Sequence, residues 1–147
     1  MKARMNINEA EPRIYKAMAV AENQIKEFNL DAKLKELIKV RVSQINGCGY
    51  CVDYHSKDSL ALGESVQRLL AVVAWWETPF FSDEERAAFK LAEEVTRVYE
   101  YGVSDETYEE AIKYFGKQGV AQIIFIAITI NGWNRIAIPM HMVAGVD

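Results

Sequence analysis

Apolar residues recur at three- and four-residue steps along most of this 147-residue chain, and this spacing constrains its fold more than any other feature. The segment from Pro12 to about Phe28 carries one such stripe, formed by Ile14, Ala17, Met18, Ala21 and Ile25. The next stripe follows a possible helix cap at Asp31 and is formed by Leu34, Leu37, Ile38, Val42 and Ile45. Asn46 and Gly47 then interrupt it. Spacing of this kind predicts amphipathic helices.

The rest of the chain continues in the same way, with short breaks in place of long linkers. Further helices are predicted over about 49–63, 65–76, 82–101 and 104–115. Ser82 and Glu85 form a capping box pattern, and Pro79 ends the helix before it. The apolar segment "VAQIIFIAITINGW" has no second segment to pair with as a strand, so we expect a central buried helix there. The sequence predicts an all-α bundle with one domain over residues 1–147.

Charge and hydropathy remove several classes of partner. The net charge is −4, and no run of five like charges occurs, so we expect neither nucleic acid nor a membrane surface as a partner. The N-terminal segment is interrupted by charges where a signal peptide needs an apolar stretch, and "IIFIAITI" is too short to span a bilayer. We therefore expect a cytoplasmic protein.

The stretch "INGCGYCVDYH" holds both cysteines and one of the two histidines. Cytoplasmic thiols are kept reduced, so such a pair is more typical of catalysis or metal binding than of a permanent bridge. Cys48 falls at a predicted helix start and Cys51 one turn inside, where the Cα separation of about 5.5 Å that a disulfide prefers can be reached. His55 lies four residues after Cys51, on the same helix face.

A helix N-terminus and a nearby imidazole both favour a thiolate. Because Cys51 shares its face with His55, we expect Cys51 to have the lower pKa and to react first. Cys48, at the helix start, is expected to be the more accessible sulfur. Two other interpretations remain open, an inert buried pair and a zinc site. Zinc would need His141 or a carboxylate to complete four ligands, and His141 is better explained by packing or solvation.

The tripeptide Ile-Asn-Gly occurs twice, in "QINGCGYCVDYH" and in "TINGWNRIAIPMH", and a histidine follows at nearly the same distance in both. This internal similarity has two explanations, a trace of duplication or chance.

Together, "VRVSQINGCGYCVDYHSKDSLALGES", "AVVAWWETPF" and "INGWNRIAI" resemble the AhpD-like branch of the carboxymuconolactone decarboxylase family, over roughly residues 10 to 140. The resemblance implies an all-helical fold and a thiol-dependent peroxidase without cofactor or bound metal. In such an enzyme Cys48 and Cys51 cycle between dithiol and disulfide, while a glutamate and His55 relay the proton. The family's glutamate lies twelve residues before the first motif cysteine, which is the position of Glu36.

One position departs from the family pattern. Tyr50 stands where fully active AhpD-type members have a histidine. A phenol with a pKa near 10 does not act as a base at neutral pH, although it can donate a hydrogen bond. Tyr50 is therefore expected to have a supporting role only.

The resemblance also implies partners. These are a small hydroperoxide, an external dithiol reductant such as a dihydrolipoyl group that forms a mixed disulfide with Cys48, and further copies of the chain in a trimer or hexamer. Two alternative functions are a cofactor-free decarboxylase or lactone-processing enzyme, and a non-catalytic redox-sensing interaction protein. The first alternative does not depend on a Cys-x-x-Cys motif, so the motif counts against it.

Overall fold

A computed structural model describes residues 2–145, and these residues form an all-α structure without a β-strand. The helices are α1 (Ile7–Ala10), α2 (Pro12–Lys26), α3 (Ala32–Asn46), α4 (Gly49–Ala61), α5 (Val66–Ala71), a 3-10 helix (Val72–Glu77), α6 (Asp83–Thr96), α7 (Val98–Tyr101) and α8 (Asp105–Met140). The predicted fold class is confirmed.

Helix ends lie where the cap residues indicate. The Asp31 side chain accepts a hydrogen bond of 3.0 Å from the backbone N–H of Leu34 and opens α3. Gly47 ends α3 in the left-handed conformation, with φ of 70°. Ser82 and Glu85 form the predicted capping box at the start of α6.

Two predicted helices are interrupted in the structure. The segment 65–76 tightens from α5 into the 3-10 helix, within which Ala74 has non-helical dihedral angles. The segment 82–101 breaks at Arg97, which separates α6 from α7. The last two predicted helices instead join in α8, where Gly116 forms a kink with φ of 62°. Local dihedral angles of this kind depend on packing against neighbours, which apolar spacing does not describe.

The core is built around α3, which packs against α4, α6, α8 and the 3-10 helix. Every residue from 34 to 43 is buried except Glu36. The predicted central helix, within α8, packs mainly on α6 and α3 and contributes a buried apolar face. The largest fully buried apolar side chains are Phe89, Ile25, Leu37, Ile38, Leu91, Ile123, Ile126, Ile130, Val40, Val42 and Val72.

Because α3 is enclosed, three of its basic side chains, Lys35, Lys39 and Arg41, are buried, and each is paired. Lys35 donates through Nζ to the backbone carbonyls of Ile25, Lys26 and Phe28, at 3.2 Å in each case. A cation there interacts favourably with the carbonyl groups at the C-terminal end of α2. This contact fastens the C-terminal end of α2 to α3.

Helix α8 is long and apolar enough, by length and composition alone, to cross a membrane. The core helix of a soluble protein passes the same test, and in this fold α8 contributes a buried face to the core.

Candidate active site

The turn between α3 and α4 places both cysteines in the interior. Gly47 reverses the chain direction, and Cys48 then serves as the N-cap residue of α4. The backbone N–H of Cys51 donates to Cys48 Sγ at 3.4 Å. Both cysteines are reduced and buried, with exposed fractions of 1% for Cys48 and 3% for Cys51.

The two thiols interact with each other, and this makes their acidities differ. A hydrogen bond from the Cys51 side chain lowers the pKa of Cys48 to about 7, although burial acts in the opposite direction. The Cys51 backbone N–H and the Asn134 side chain lower the pKa of Cys48 further. The same contact with Cys48, together with burial, raises the pKa of Cys51. The expected assignment of the lower pKa to Cys51 is therefore wrong, because the N-cap position gives Cys48 the extra donors.

Access to the two sulfurs also differs from the expectation. Cys51 lines the large cavity described below, whereas Cys48 does not. Cys48 was expected to be the more accessible because it lies at the helix start. In the fold, α8 packs against both α3 and α4 and encloses that start. A negative charge is thus more stable on the sulfur of Cys48, whereas Cys51 is the cysteine that lines the cavity.

A chain of hydrogen-bonded side chains runs along the wall of this cavity. His55 Nδ1 lies 2.8 Å from Glu36 Oε2, and Glu36 Oε1 accepts a hydrogen bond of 3.0 Å from Lys39 Nζ. Lys39 also donates to Glu22 Oε2 at 3.0 Å. The indole N–H of Trp133 donates to the other oxygen of Glu22 at 3.1 Å. Helices α2, α3, α4 and α8 each supply a member of this chain.

These contacts hold Glu36 as a carboxylate. Burial alone would raise the pKa of Glu36, but the hydrogen bond with His55 and the charge of Lys39 bring that pKa below its ordinary value. Burial would lower the pKa of Lys39, yet the charges of Glu36 and Glu22 raise it. Because a carboxylate only accepts hydrogen bonds, His55 Nδ1 must carry the hydrogen, and Nε2 of the neutral ring has a free lone pair. The structure thus brings Glu36 and His55 together in the predicted pair.

A cavity of about 670 Å³ lies between α2 and the helices α3, α4 and α8. Its lining consists of Tyr15, Ala19, Glu22, Asn23, Ile25, Lys26, Ala32, Lys35, Glu36, Lys39, Tyr50, Cys51, Tyr54, His55, Asp58, Leu62, Trp133, Ala137 and Met142. Four of these residues are aromatic, and Cys51 and His55 share the wall with them. A mostly apolar cavity with a few polar groups is typical of small-molecule sites.

The sequence profile of the Carboxymuconolactone decarboxylase family matches residues 12–94, which is more than half of the chain. The chain belongs to this family. The match covers α2, α3 and α4, and therefore Glu36, Cys48, Cys51 and His55.

Individual relatives agree with the carboxymuconolactone decarboxylase assignment. The uncharacterized protein YdfG of Bacillus subtilis is 37% identical over 140 residues, which are 95% of each chain. A crystal structure from Agrobacterium tumefaciens, of unknown function and provisionally assigned to the antioxidant defence protein AhpD, has a TM-score of 0.95 and 34% identity. The matched region covers 99% of this chain and 100% of the Agrobacterium chain. A peroxidase-related protein with an alkylhydroperoxidase AhpD core, from Ralstonia eutropha, shares the fold with a TM-score of 0.84. Its identity is 20%, over 95% of this chain and 74% of that one. The chain is an AhpD-like member of the family.

Two other predicted residues can be placed in this AhpD-like fold. Tyr50 lines the cavity and stacks on Tyr54, with ring centroids 6.3 Å apart. His141 is the C-cap of α8, in the left-handed conformation with φ of 51°, and is half-buried. The cavity wall includes Met142 but not His141.

One group of described residues has the composition of a metal site. Ligand atoms of Glu36, His55 and Asp58 lie within 4.8 Å of one another. The group offers three ligands and includes neither cysteine, unlike the zinc set considered from the sequence. Lys39 also holds a positive charge 3.0 Å from Glu36, which opposes a cation there. That this family member binds no metal stays a prediction.

Lys39 and Glu22 were not identified from the sequence. Lys39 lies three residues after Glu36, so helix phase could have indicated the contact. Glu22 lies on a different helix, and only the packing of α2 brings it to Lys39.

Proposed function

We propose that this protein is a thiol-dependent peroxidase that reduces a small hydroperoxide with the Cys48 and Cys51 dithiol. Membership in the carboxymuconolactone decarboxylase family and similarity to AhpD-like proteins support a peroxidase-related function. The observation that carries the proposal is the arrangement at the cavity wall. There Cys51 and His55 both line the cavity, about one helical turn apart on α4, and His55 Nδ1 lies 2.8 Å from Glu36 Oε2.

In the first step, His55 Nε2 takes the proton from the Cys51 thiol. The resulting thiolate attacks one peroxide oxygen, so that an S–O bond forms and the O–O bond breaks. The leaving alkoxide takes the proton from His55 and departs as an alcohol. Cys51 is thereby oxidised to a sulfenic acid, and the peroxide is reduced.

In the second step, the Cys48 thiolate attacks the sulfur of Cys51. An S–S bond forms, the S–O bond breaks, and hydroxide leaves as water after protonation. The backbone N–H of Cys51, which donates to Cys48 Sγ at 3.4 Å, stabilises the charge on this resolving sulfur. The dithiol has then supplied the two electrons that the peroxide accepted.

An external dithiol closes the cycle. One of its thiolates attacks the disulfide and forms a mixed disulfide, and its second thiol releases the restored dithiol. We place the mixed disulfide on Cys51, in place of the expected Cys48, because only Cys51 faces the cavity. A dihydrolipoyl group in the cytoplasm is the reductant that we propose.

The alternatives of the sequence analysis give different assay results. A cofactor-free decarboxylase or lactone-processing enzyme would turn over its substrate after both cysteines are replaced. A redox-sensing interaction protein would be oxidised once without turnover. The buried relay of Glu36 and His55 favours an enzyme over a sensor, because a sensor needs no oriented base.

The test is peroxide consumption by purified protein with dihydrolipoamide, glutathione and thioredoxin compared as reductants. Glu36→Gln should slow turnover by at least about tenfold, since general acid–base catalysis contributes about 10² to 10⁴ in rate. The matched control is Glu109→Gln, an exposed position on α8, which should leave the rate unchanged.

Turnover should fall as pH drops through about 7, because the Cys48 thiolate is then protonated.

Equal rates in Glu36→Gln and Glu109→Gln would remove the relay from the mechanism. Absence of turnover with every dithiol tested, together with a single oxidation per protein, would favour the sensor.

A further inference from the structure

A buried lysine contacts the carboxylate that orients His55. Both oxygens of Glu36 are engaged, because Oε2 lies 2.8 Å from His55 Nδ1 and Oε1 accepts from Lys39 Nζ at 3.0 Å. The side chain of Lys39 is only 6% exposed, so solvent and salt screen its charge little. In the proposed cycle only Glu36 and His55 of this group handle the proton, and the purpose of the buried cation beside them is open.

Glu22 fixes the direction in which Lys39 points. Its Oε2 accepts from Lys39 Nζ at 3.0 Å, and its Oε1 accepts from the Trp133 indole N–H at 3.1 Å. An ammonium and an indole N–H only donate, so both oxygens of Glu22 serve as acceptors. The ammonium of Lys39 is thus held between two carboxylates, one on α2 and one on its own helix α3.

Negative charge is concentrated around His55. Ligand atoms of Glu36, His55 and Asp58 lie within 4.8 Å of one another. Carboxylates that share a site in this way favour protonation of one of them. Of the lysines on the cavity wall, Lys26 is exposed and Lys35 donates to backbone carbonyls at the end of α2, whereas Lys39 contacts Glu36 directly. The charged groups on this wall are Glu22, Lys26, Lys35, Glu36, Lys39 and Asp58, together with His55 when it is protonated.

We propose that Lys39 is a positioning residue, whose ammonium keeps the hydrogen between Glu36 and His55 on His55 Nδ1 and so leaves the Nε2 lone pair free. This role rests on the proposed function, in which Nε2 takes the proton of the Cys51 thiol. In agreement with it, the charge of Lys39 helps to bring the pKa of Glu36 below its ordinary value, although burial acts in the opposite direction.

The consequence of losing the ammonium follows from counting protons. Glu22, Glu36 and Asp58 would then share the site without the cation that contacts two of them, and the site would bind one more proton. If Glu36 took that proton, its O–H would donate to Nδ1 and the ring hydrogen would move to Nε2. If the ring took it, both nitrogens would carry a hydrogen. In either case Nε2 could no longer accept a proton from Cys51.

The test is the nitrogen-15 NMR spectrum of the imidazole rings at slightly alkaline pH, where an ordinary imidazole is neutral, with reduced cysteines and without peroxide. The signal of a ring nitrogen shows whether it bears a hydrogen. The chain has two histidines, and His141, which is not on the cavity wall, serves as an internal reference. The wild-type protein should have the His55 hydrogen on Nδ1. A hydrogen on Nε2 alone would overturn the proposal.

Lys39→Met keeps a side chain of similar length and removes its charge. The fraction of His55 rings with a hydrogen on Nε2 should rise at least about twofold over the wild type, because a cation in contact with a carboxylate strongly favours the ionised form. Lys39→Gln is neutral but polar and should behave in the same way, including if methionine at this buried position prevents folding. Lys39→Arg keeps a cation and should restore the wild-type spectrum.

Glu22→Gln is the matched control. It alters the same contact between α2 and α3, but it leaves the ammonium beside Glu36, and the glutamine oxygen can still accept from Lys39. The fraction of rings with a hydrogen on Nε2 should not rise in this variant. An equal rise in Glu22→Gln and the neutral Lys39 variants would overturn the proposal, since looser packing of α2 would then be the cause. Unchanged spectra in both neutral variants, or no restoration by Lys39→Arg, would overturn it as well.

These spectra do not depend on peroxide turnover. The expected spectra in a protein without peroxidase activity would count against the proposed function and leave the control of the His55 ring by Lys39 standing. An active peroxidase whose His55 signals ignore the charge at position 39 would reject the role of Lys39 and leave the proposed function standing.

Discussion

At the scale of single residues, one cysteine of the site stabilises negative charge better, and the other is the one that the cavity reaches. Cys48 accepts the Cys51 N–H at the start of α4 and has a pKa lowered to about 7. Cys51 has a raised pKa, yet it shares the cavity wall with His55. In the cycle that we propose, a peroxide would meet Cys51 first, and Cys48 would resolve the sulfenic acid. Access would then decide which sulfur reacts with peroxide.

The two cysteine variants should differ because of this division. Cys48→Ser should still be oxidised by peroxide, but it should stop at a sulfenic acid on Cys51 because no resolving thiol remains. Cys51→Ser should lose peroxide reactivity, since Cys48 is buried and does not line the cavity. Trapping with dimedone and mass spectrometry should show label on Cys51 in the first variant and none on Cys48 in the second.

Label on Cys48 of Cys51→Ser would reverse the two roles and mean that acidity outweighs access.

In the wild-type protein, peroxide should produce an intramolecular Cys48–Cys51 disulfide that dithiothreitol reverses. Two free thiols after peroxide treatment would exclude the redox mechanism altogether.

At the scale of elements, the turn from α3 to α4 sets where the sulfurs lie. The turn depends on Gly47, whose φ of 70° belongs to the left-handed region that other residues adopt at a cost. Gly49 follows two residues later as the first residue of α4, without a positive φ. A Cβ at either glycine would meet no atom within 4 Å. The two positions therefore differ in backbone conformation and not in space.

This difference predicts opposite effects of the same substitution. Gly47→Ala should lower the free energy of unfolding by about 1 kcal/mol, because alanine is strained at positive φ. Gly49→Ala should be neutral or slightly stabilising, because alanine is the better helix former. Denaturant unfolding of the two variants measures this. Equal losses would mean that the left-handed conformation at Gly47 is not the source of the cost.

At the scale of the whole molecule, the chain leaves several large apolar side chains exposed on one segment. Val66 and Leu70 on α5, and Val73 and Trp76 on the following 3-10 helix, are all exposed. Clustered apolar exposure of this kind is typical of contact surfaces between proteins. We propose that this surface forms contacts in the trimer or hexamer that the family resemblance implies.

Sedimentation at micromolar concentration should therefore show a species larger than the monomer. Leu70→Asp, which places a charge on the most exposed residue of this segment, should shift the distribution toward smaller species. A wild-type protein that sediments as a monomer would contradict the assembly. An unchanged distribution for Leu70→Asp would place the contact elsewhere on the surface.

The amino-acid sequence by itself determined the helical class and most helix ends. Periodic apolar residues and capping residues such as Asp31, Ser82 and Gly47 act within a few residues of the chain, so their effects can be inferred from local spacing. The family resemblance also paired Glu36 with His55, and the two side chains lie 2.8 Å apart in the structure. In contrast, the breaks at Ala74 and Arg97 and the kink at Gly116 depend on neighbouring helices.

Only the tertiary structure decided how the site residues divide their roles. Which sulfur faces the cavity depends on how α2 and α8 pack around the start of α4, and helix phase around Cys51 says nothing about that. Glu22 and Lys39 reach the site from two different helices, and their contact joins residues that are far apart in the chain. Acidity and access at a buried site are set by such long-range contacts, because burial and hydrogen bonding are properties of the folded interior.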